Sequence, residues 1–427
     1  MLDKNAIQTL RDKYIGPSFS VSYDKPLHII RGEGQYLFDS DGKQYLDAVN
    51  NIQHVGHCHP KVVEAARHQY DKLNTNTRYL DETIVNYAKD LTSKLPRELD
   101  VCFFTNSGSE ANDLALRIAR HYTQSKETIV LGAAYHGNLS SLIEISPYKH
   151  HGPGSLAPPD FVYTIPMPDA YRGKYRGDNA VNSYVGEVEK AINLIQKNCN
   201  KIPVFIAESL MGCGGQLVLP NGFLKSTFDL IREVGGICIA DEIQIGFGRM
   251  GSHFWGFETC DVIPDIITMG KSMGNGHPLS VVVTTREIAD AFNNGMEYFN
   301  SFGGNPVSCA VGHAVLNVIK DEGLQQNSED LGNYLLNQLN KIENSLIGQV
   351  RGQGLFIGIE LIKDHKTLTP AGEDANAIVN GMKDAGILIS ADGPDHNVLK
   401  IKPPIVFTRE NADELVFNLT SVLNQQL

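Results

Sequence analysis

The chain has 427 residues, of which 42% are hydrophobic and 20% are charged, and its formal net charge is −12. This length predicts two domains, and the composition is ordinary for a globular protein. Proteins that hold a phosphate backbone usually carry excess positive charge, so the acidic balance argues against a nucleic-acid partner.

The seven cysteines are scattered and odd in number, which favours reduced thiols over a disulfide framework. The first residues, MLDKNAIQTLRDKY, contain no apolar stretch of signal-peptide type. No window approaches the length of a membrane span. The sequence therefore predicts a cytoplasmic protein that does not enter a membrane.

Residues 27–50 alternate apolar and polar side chains around a turn at residues 39–42, which is typical of a small antiparallel hairpin. Further along, short apolar runs predict buried strands at 101–105, 128–131, 204–208, 237–241, 266–269 and 279–285. Helical patterns lie between them, for example at 109–121 and 224–234. This alternation predicts a mostly parallel sheet covered on both faces.

The two ends of the chain have a different pattern. From about residue 330, helices mix with strands predicted at 354–361 and 398–401. We predict a large domain over residues 66–325 and a smaller α+β domain built from residues 1–65 and 326–427. Residues 146–182, rich in Pro, Gly, Tyr and basic side chains, are predicted to form a long, partly ordered loop.

Polar residues follow several predicted strands at the point where each strand ends. Residues 104–113 (FTNSGSEAND) read as a strand, a glycine turn and a helix start, where free N–H groups and the helix dipole can hold an anion. The hydroxyls of Ser107 and Ser109 add donors. The alternative is an ordinary N-cap serine.

Asp241 ends an apolar run, and a buried carboxylate there needs a cation such as a protonated pyridine nitrogen. A strand-end capping aspartate is the alternative. Gln244 follows three residues later and could donate to an oxygen of the same ligand. Tyr135 could stack on a flat ring or be a core tyrosine, and His136 is equally open.

Lys271 lies between Gly270 and Ser272, with Gly274 and Gly276 close behind. A solvated loop lysine is the alternative for this residue alone. Together, however, an anion cradle, a stacking ring, a carboxylate and a lysine at successive strand ends meet the needs of a pyridoxal phosphate enzyme.

The sequence resembles class III aminotransferases over nearly its whole length. The motifs that carry the resemblance are residues 107–112 (SGSEAN), 135–137 (YHG), Glu208, 241–244 (DEIQ), Lys271 and 301–306 (SFGGNP). The resemblance implies an α/β protein of fold type I among the pyridoxal-phosphate-dependent transferases. It also implies a homodimer, or a tetramer, with active sites at the subunit interface.

By this resemblance Lys271 is the Schiff-base lysine and Asp241 pairs with the pyridine nitrogen. Tyr135 stacks on the ring, Gln244 contacts its phenolic oxygen, and Ser301 of the neighbouring subunit helps to bind the phosphate. The family often has Thr at that last position, and the hydroxyl is kept here. The implied cofactor-binding set is Ser107, Gly108, Ser109, Tyr135, His136, Glu208, Asp241, Gln244, Lys271 and Ser301.

Four stretches resemble the phospho-lyases that act on ethanolamine phosphate and hydroxylysine phosphate: residues 50–60, 73–78, 169–176 and 397–404. This likeness implies elimination of phosphate from an amino-phosphate. The alternative is an aminotransferase of the ω-amine or alanine–glyoxylate type. The predicted substrate residues are Asn50, Asn51, His54 and Arg78, with His57, Arg172, Lys174 and Arg176 as further donors. Lys400 and Lys402 are assigned to a small-domain strand.

Three other functions fit less well. His54, His57 and His59 surround Cys58, but their spacing lacks a zinc signature, and we expect no metal. The glycines of residues 352–354 precede a strand rather than follow one, which argues against a dinucleotide site. A catalytically inactive binding protein is disfavoured by the presence of both Lys271 and Asp241.

Overall fold

The computed structural model of the protein describes residues 2–152 and 154–425. Residues 1, 153, 426 and 427, which fall in the predicted small-domain segments and the predicted loop, lie outside it. The helices are α1 (Lys4–Tyr14), α2 (Pro60–Lys72), α3 (Glu82–Thr92), α4 (Gly108–Thr123), α5 (Ser140–Ile143), α6 (Ala180–Cys199), α7 (Phe223–Glu233), α8 (Arg286–Phe292), α9 (Pro306–Asp321), α10 (Leu324–Leu339), α11 (Gly372–Asp384) and α12 (Arg409–Gln425).

The first nine strands are β1 (Ile29–Glu33), β2 (Tyr36–Asp39), β3 (Gln44–Asp47), β4 (Val101–Thr105), β5 (Thr128–Leu131), β6 (Val162–Ile165), β7 (Val204–Glu208), β8 (Leu210–Met211) and β9 (Leu217–Val218). The others are β10 (Ile237–Asp241), β11 (Ile266–Met269), β12 (Ser280–Thr284), β13 (Ile347–Gln353), β14 (Phe356–Asp364), β15 (Thr369–Pro370), β16 (Ile387–Leu388), β17 (Ser390–Asp392) and β18 (Val398–Ile401).

A seven-stranded sheet forms the centre of the molecule, in the order β4-β12-β11-β10-β7-β5-β6. The pairings among β11, β10, β7, β5 and β6 are all parallel, whereas β12 runs antiparallel to both of its neighbours. The predicted α/β fold with a mostly parallel sheet is therefore confirmed. Because parallel strands end at a common edge, their carboxyl ends form one shelf for a ligand.

One prediction about this sheet is wrong. Residues 146–182 were expected to form a loop, yet Val162–Ile165 form the edge strand β6, paired in register with β5 from Thr128↔Val162. The strand is only four residues long and lies among prolines and glycines, so its local pattern is too short to distinguish it from a loop.

The sheet is covered on both faces, as its continuous apolar strands require. In β10, Ile237 and Ile239 pack in the cluster that includes α4, while Cys238 and Ala240 pack in the cluster on the other face. All four side chains are buried. This packing holds the ends of the strands in place and leaves their polar terminal residues at the edge.

The two ends of the chain meet in a second region. The predicted hairpin is confirmed as the antiparallel strands β1, β2 and β3, and β16 joins them in parallel through Ile387↔Leu46. Beyond β18, Lys402 N donates to Ala48 O at 2.8 Å. This contact ties the loop after β3 to the chain after β18, beside the large sheet. The domain boundaries at residues 65 and 325 stay predictions.

Two further findings concern the environment of the chain. Within residues 2–152 and 154–425, no helix combines the length and apolarity needed to cross a bilayer. All seven cysteines are free thiols, with Cys238 and Cys309 buried.

Candidate active site

The carboxyl ends of the central strands enclose a cavity of about 290 Å³. It is lined by Ser107, Gly108, Ser109, Tyr135, His136, Gly137, Glu208, Asp241, Ile243, Gln244 and Lys271. The fold thus brings together every residue of the predicted cofactor-binding set except Ser301. Ser301 is exposed and does not line this cavity.

The N-terminus of α4 forms one wall of the cavity. Ser107 is the N-cap in extended conformation, and its hydroxyl accepts from Glu110 N at 3.2 Å. The hydroxyl of Ser109 accepts from Asn138 N at 2.9 Å, which leaves its own hydrogen available to donate. Helix N-terminal N–H groups and hydroxyls together make a site suited to an anion.

Asp241 lies at the centre of a buried hydrogen-bond network. Its Oδ2 accepts from Asn112 Nδ2 at 2.7 Å and from His136 Nδ1 at 2.8 Å, and its Oδ1 accepts from Ile243 N at 3.1 Å. Asn112 is itself oriented, because its Oδ1 accepts from Thr268 Oγ1 at 2.7 Å. These donors fix the carboxylate as an acceptor facing the cavity.

Glu208 stands beside Asp241 in the sheet, in the register Asp241↔Glu208. Its Oε2 accepts from Gly212 N at 2.9 Å, but its Oε1 is buried and has no partner in the described part of the chain. Burial, and then the charge of Asp241, raise the pKa of Glu208 above its usual value. Of two adjacent carboxyls, Glu208 is therefore the one inclined to take a proton, and Asp241 the one suited to face a cation.

Lys271 follows β11 and begins a turn of 3₁₀ helix over Lys271–Gly274. Its φ is +37°, in the left-handed region that non-glycine residues rarely adopt. Burial lowers the pKa of Lys271, and the positive charge of Lys400 acts in the same direction, against Asp241 and Glu208. A lysine with a lowered pKa at the wall of a cavity is suited to act as a nucleophile and a base.

Gln244 lines the cavity from the side opposite α4 in sequence, through the loop after β10. Its Oε1 accepts from Asn51 Nδ2 and from Lys402 Nζ, each at 3.2 Å. Lys402 is fully buried, and its nitrogen lies 4.0 Å from the Phe356 ring centroid. The predicted cofactor residue Gln244 therefore connects the two ends of the chain to the cavity.

Several predicted substrate residues lie away from the cavity. His54 is fully buried: its Nε2 donates to Phe247 O at 2.7 Å and its Nδ1 accepts from Arg249 at 3.2 Å. Burial, and then the charge of Arg249, lower the pKa of His54 to about 3. Arg78 is exposed and pairs with Glu297 at 3.0 Å. Asn50 caps its own loop by accepting from Ile52 N.

The other basic candidates also have protein partners. Arg172 forms an ion pair with Glu360 at 2.5 Å, and Lys174 forms one with Glu187 at 3.1 Å. Arg176 is exposed and donates to backbone carbonyls. His57 bonds Asp47 at 2.7 Å beneath the loop that carries Asn51. Within the described residues, no three His, Cys, Asp or Glu side chains are grouped as a metal site.

Three residues of this site were missed from the sequence: Asn112, Thr268 and Lys402. Asn112 lies inside the helix-start motif, one turn after Ser107 and Ser109, so a polar residue facing back to the sheet was the available signal. Thr268 precedes Lys271 by three residues on a buried strand, where a lone hydroxyl needs a partner.

A lysine, a carboxylate and an anion-binding helix start at the carboxyl edge of such a sheet place the protein among the fold type I enzymes of pyridoxal phosphate. The family model for class III aminotransferases matches residues 18–423, and the chain belongs to that family, whose members are pyridoxal-phosphate-dependent enzymes.

The most similar relatives carry two kinds of name. A protein of Drosophila melanogaster named alanine–glyoxylate aminotransferase 2-like is 49% identical, covering 100% of this chain and 89% of the relative. Ethanolamine-phosphate phospho-lyase homolog 1 of Caenorhabditis elegans is 42% identical, covering 98% and 93%. A solved phospholyase from Arthrobacter in complex with phosphoethanolamine is 39% identical, with a TM-score of 0.93, covering 98% and 99%.

The residues present fit the cofactor of this family. Besides Glu208 Oε1, the Nε2 of His136 is buried and has no partner among the described residues, so two polar atoms at the cavity await a polar ligand. When bound, pyridoxal phosphate supplies an aldehyde that condenses with amines and a ring that accepts electrons. Lys271 would hold the aldehyde carbon, Asp241 the ring nitrogen, and Gly108 and Ser109 the phosphate.

We expect Gly108→Ala to weaken cofactor binding. A Cβ at residue 108 would lie 2.7 Å from Ile243 Cδ1, which would force Ile243 into the cavity. Overpacking of this kind costs about 1–3 kcal/mol, or roughly 5- to 150-fold in Kd. The Kd for pyridoxal phosphate can be measured by absorbance titration.

Gly186→Ala is the matched control, because its Cβ would meet nothing within 4 Å in the middle of α6. Unchanged affinity in both variants would argue against a cofactor phosphate at the start of α4.

Proposed function

We propose that the protein is a lyase that eliminates phosphate from O-phosphoethanolamine or a closely related amino-phosphate. With water, O-phosphoethanolamine would give acetaldehyde, ammonia and inorganic phosphate. Support comes from the solved phospholyase in complex with phosphoethanolamine, which is 39% identical over nearly the whole chain. The phospho-lyase homolog at 42% identity supports the same reaction.

The observation in the molecule that carries this proposal is a surplus of lysine near the cavity. Lys400 is largely buried, and its nearest carboxylate, that of Asp392, is 3.6 Å away. Lys402 has no carboxylate within 4.0 Å among the described residues, and the charge of Lys400 affects the pKa values of both Lys402 and Lys271. Cations with so little compensation favour a substrate that carries negative charge.

Each residue then has a definite task. Lys271 Nζ takes the proton from the substrate carbon that bears nitrogen, and Asp241 keeps the ring nitrogen protonated. Tyr135 covers the ring, and Gln244 donates to the phenolic oxygen. Lys400 is the nearest candidate to face the phosphate that leaves.

We also propose a homodimer. Ser301 is exposed, and the neighbouring Phe302 is 70% exposed. Tyr79 and Leu80 add large exposed apolar side chains. An apolar surface of this kind suits a second copy of the chain, which would receive Ser301 at its cofactor phosphate.

The second candidate function is an aminotransferase, favoured by the relative that is 49% identical and named alanine–glyoxylate aminotransferase 2-like. Both reactions need the same first proton transfer by Lys271. They differ in whether the proton returns to the cofactor or a leaving group departs from the neighbouring carbon.

Phosphate release decides between them. The protein loaded with pyridoxal phosphate is mixed with O-phosphoethanolamine and no keto acid. We expect equal amounts of phosphate, ammonia and acetaldehyde over many turnovers, and none from the Lys271→Ala control. If no phosphate appears and the cofactor instead converts to its amine form, reversibly with pyruvate, the protein is an aminotransferase.

A further inference from the structure

The amide of Gln244 is held by two donors from distant parts of the chain. Asn51 follows β3 near the start of the chain, and Lys402 follows β18 near its end. Both donate to the same oxygen, Gln244 Oε1, each at 3.2 Å. Among the described residues Gln244 Nε2 makes no hydrogen bond, although the side chain lines the cavity. The nitrogen is therefore the atom of this amide that is available to a ligand.

The opposite orientation of the amide is unfavourable. Turning it over would place Nε2 against the N–H groups of both Asn51 and Lys402, two donor-to-donor contacts. The backbone also leaves no slack, because a Cβ on Gly212 would lie 2.6 Å from Gln244 Nε2. Two donors and one bare glycine thus define a single orientation for this side chain.

Lys402 has no other evident task in the described structure. Its amine is fully buried, packs against the ring of Phe356, and hydrogen-bonds only to Gln244. Burial, and then the charge of Lys400, lower the pKa of Lys402 well below its usual value. Whether charged or neutral, the amine keeps N–H groups that can donate to Gln244. A buried lysine is costly, so its only hydrogen bond is where a function should be sought.

The two donors are connected to each other through the backbone. Lys402 N donates to Ala48 O at 2.8 Å, and Asp47 Oδ1 accepts from Val49 N and Asn50 N at the start of the same loop. The loop of Asn51 and the chain at Lys402 therefore form one support, which contacts Gln244 from the side away from Lys271.

We propose that Lys402 and Asn51 are positioning residues that fix Gln244 as a hydrogen-bond donor to the cavity. The site then selects a ring that bears an acceptor oxygen next to its aldehyde, as pyridoxal phosphate does. An amide free to turn would present its oxygen to that phenolate half of the time and lose the selection. This inference holds equally for a lyase and an aminotransferase, because it concerns only how the cofactor is recognised.

The test compares the affinity for pyridoxal phosphate with the affinity for its 3-deoxy analogue, which lacks only the ring oxygen. The variants are Gln244→Leu, Lys402→Met, Asn51→Leu and the double variant Gln244→Leu with Lys402→Met. Methionine keeps the apolar stem of Lys402 over the Phe356 ring. The control is Lys383→Met, which removes a buried lysine of α11 that pairs with Asp384 at 2.7 Å instead. Circular dichroism verifies that each variant folds.

We expect the wild-type protein to prefer pyridoxal phosphate about tenfold or more, since a hydrogen bond to a charged oxygen is at stake. Gln244→Leu should abolish the preference. Lys402→Met and Asn51→Leu should each reduce it at least about threefold, and adding Lys402→Met to Gln244→Leu should reduce it no further. Lys383→Met should keep the wild-type preference.

A purely structural role of Lys402 would weaken both ligands by the same factor and leave the preference intact, which would overturn the proposal. So would a preference that survives in Gln244→Leu, because Gln244 would then not contact the oxygen. If Lys402→Met does not fold, Asn51→Leu with Lys402→Arg gives the same comparison, with arginine expected to preserve the preference as a donor. Failure of the lyase assay leaves all these outcomes readable.

Discussion

Lys271→Ala should abolish covalent attachment of pyridoxal phosphate and reduce turnover at least about 10⁴-fold, since one nitrogen serves both as the attachment point and as the base. The lowered pKa of Lys271, caused first by burial, makes its neutral amine accessible near neutral pH. The left-handed backbone at residue 271 aims the side chain from the end of β11 into the cavity.

Lys402 makes this prediction sharper, because it is a second buried lysine with a lowered pKa close to the same cavity. Chemistry alone does not separate the two amines, but geometry does. Lys271 lines the cavity, whereas Lys402 does not line it and donates to Gln244. Borohydride reduction of the loaded protein, followed by peptide mass spectrometry, should therefore find the cofactor on the Lys271 peptide.

The same mapping supplies the control. Lys402→Met should retain the adduct on Lys271, whereas Lys271→Ala should show none on any peptide. An adduct on Lys402 or Lys400, or visible cofactor absorbance that persists in Lys271→Ala, would show that the assignment of Lys271 is wrong.

The residues at strand ends could be predicted from the sequence because the signal is local. Asp241 and Glu208 each terminate a run of apolar residues, and a buried parallel strand leaves few other interpretations of a final carboxylate. The helix start at Ser107 is equally local, since a cap and a glycine lie within four residues of the strand.

The rest of the site depends on contacts between distant segments, which no local pattern contains. Lys402 reaches Gln244 across 158 residues of sequence, and Thr268 reaches Asn112 across 156. His54 shows the reverse case: its polar surroundings in sequence suggest a ligand-binding loop, yet the fold buries it against Arg249. The side chain is thus used in packing the loop rather than in the cavity.

The second large effect is expected for Asp241→Asn, which should bind cofactor but lose turnover on the order of 10³-fold. The oxygen of asparagine can replace Oδ2 and accept from Asn112 and His136. Its NH₂ group must then point toward Ile243 N and the ring nitrogen. A donor in that position repels a protonated ring nitrogen, so the ring would hold its proton less well and accept electrons poorly.

The mechanism can be tested apart from the structural effect of the substitution. Asp241→Ala leaves room for a methyl group, so this variant can be loaded with pyridoxal phosphate methylated on its ring nitrogen, which carries a permanent positive charge. If Asp241 acts by keeping that nitrogen charged, this cofactor should recover part of the lost rate in Asp241→Ala and none in Lys271→Ala. The measurement is the single-turnover rate with O-phosphoethanolamine, or with an amino donor if the protein is an aminotransferase. Turnover of Asp241→Asn within about threefold of wild type, a small fraction of the range expected for this group, would remove the proposed role. Equal rates for the two cofactors in Asp241→Ala would mean that the carboxylate serves instead to hold His136 and Asn112 in place.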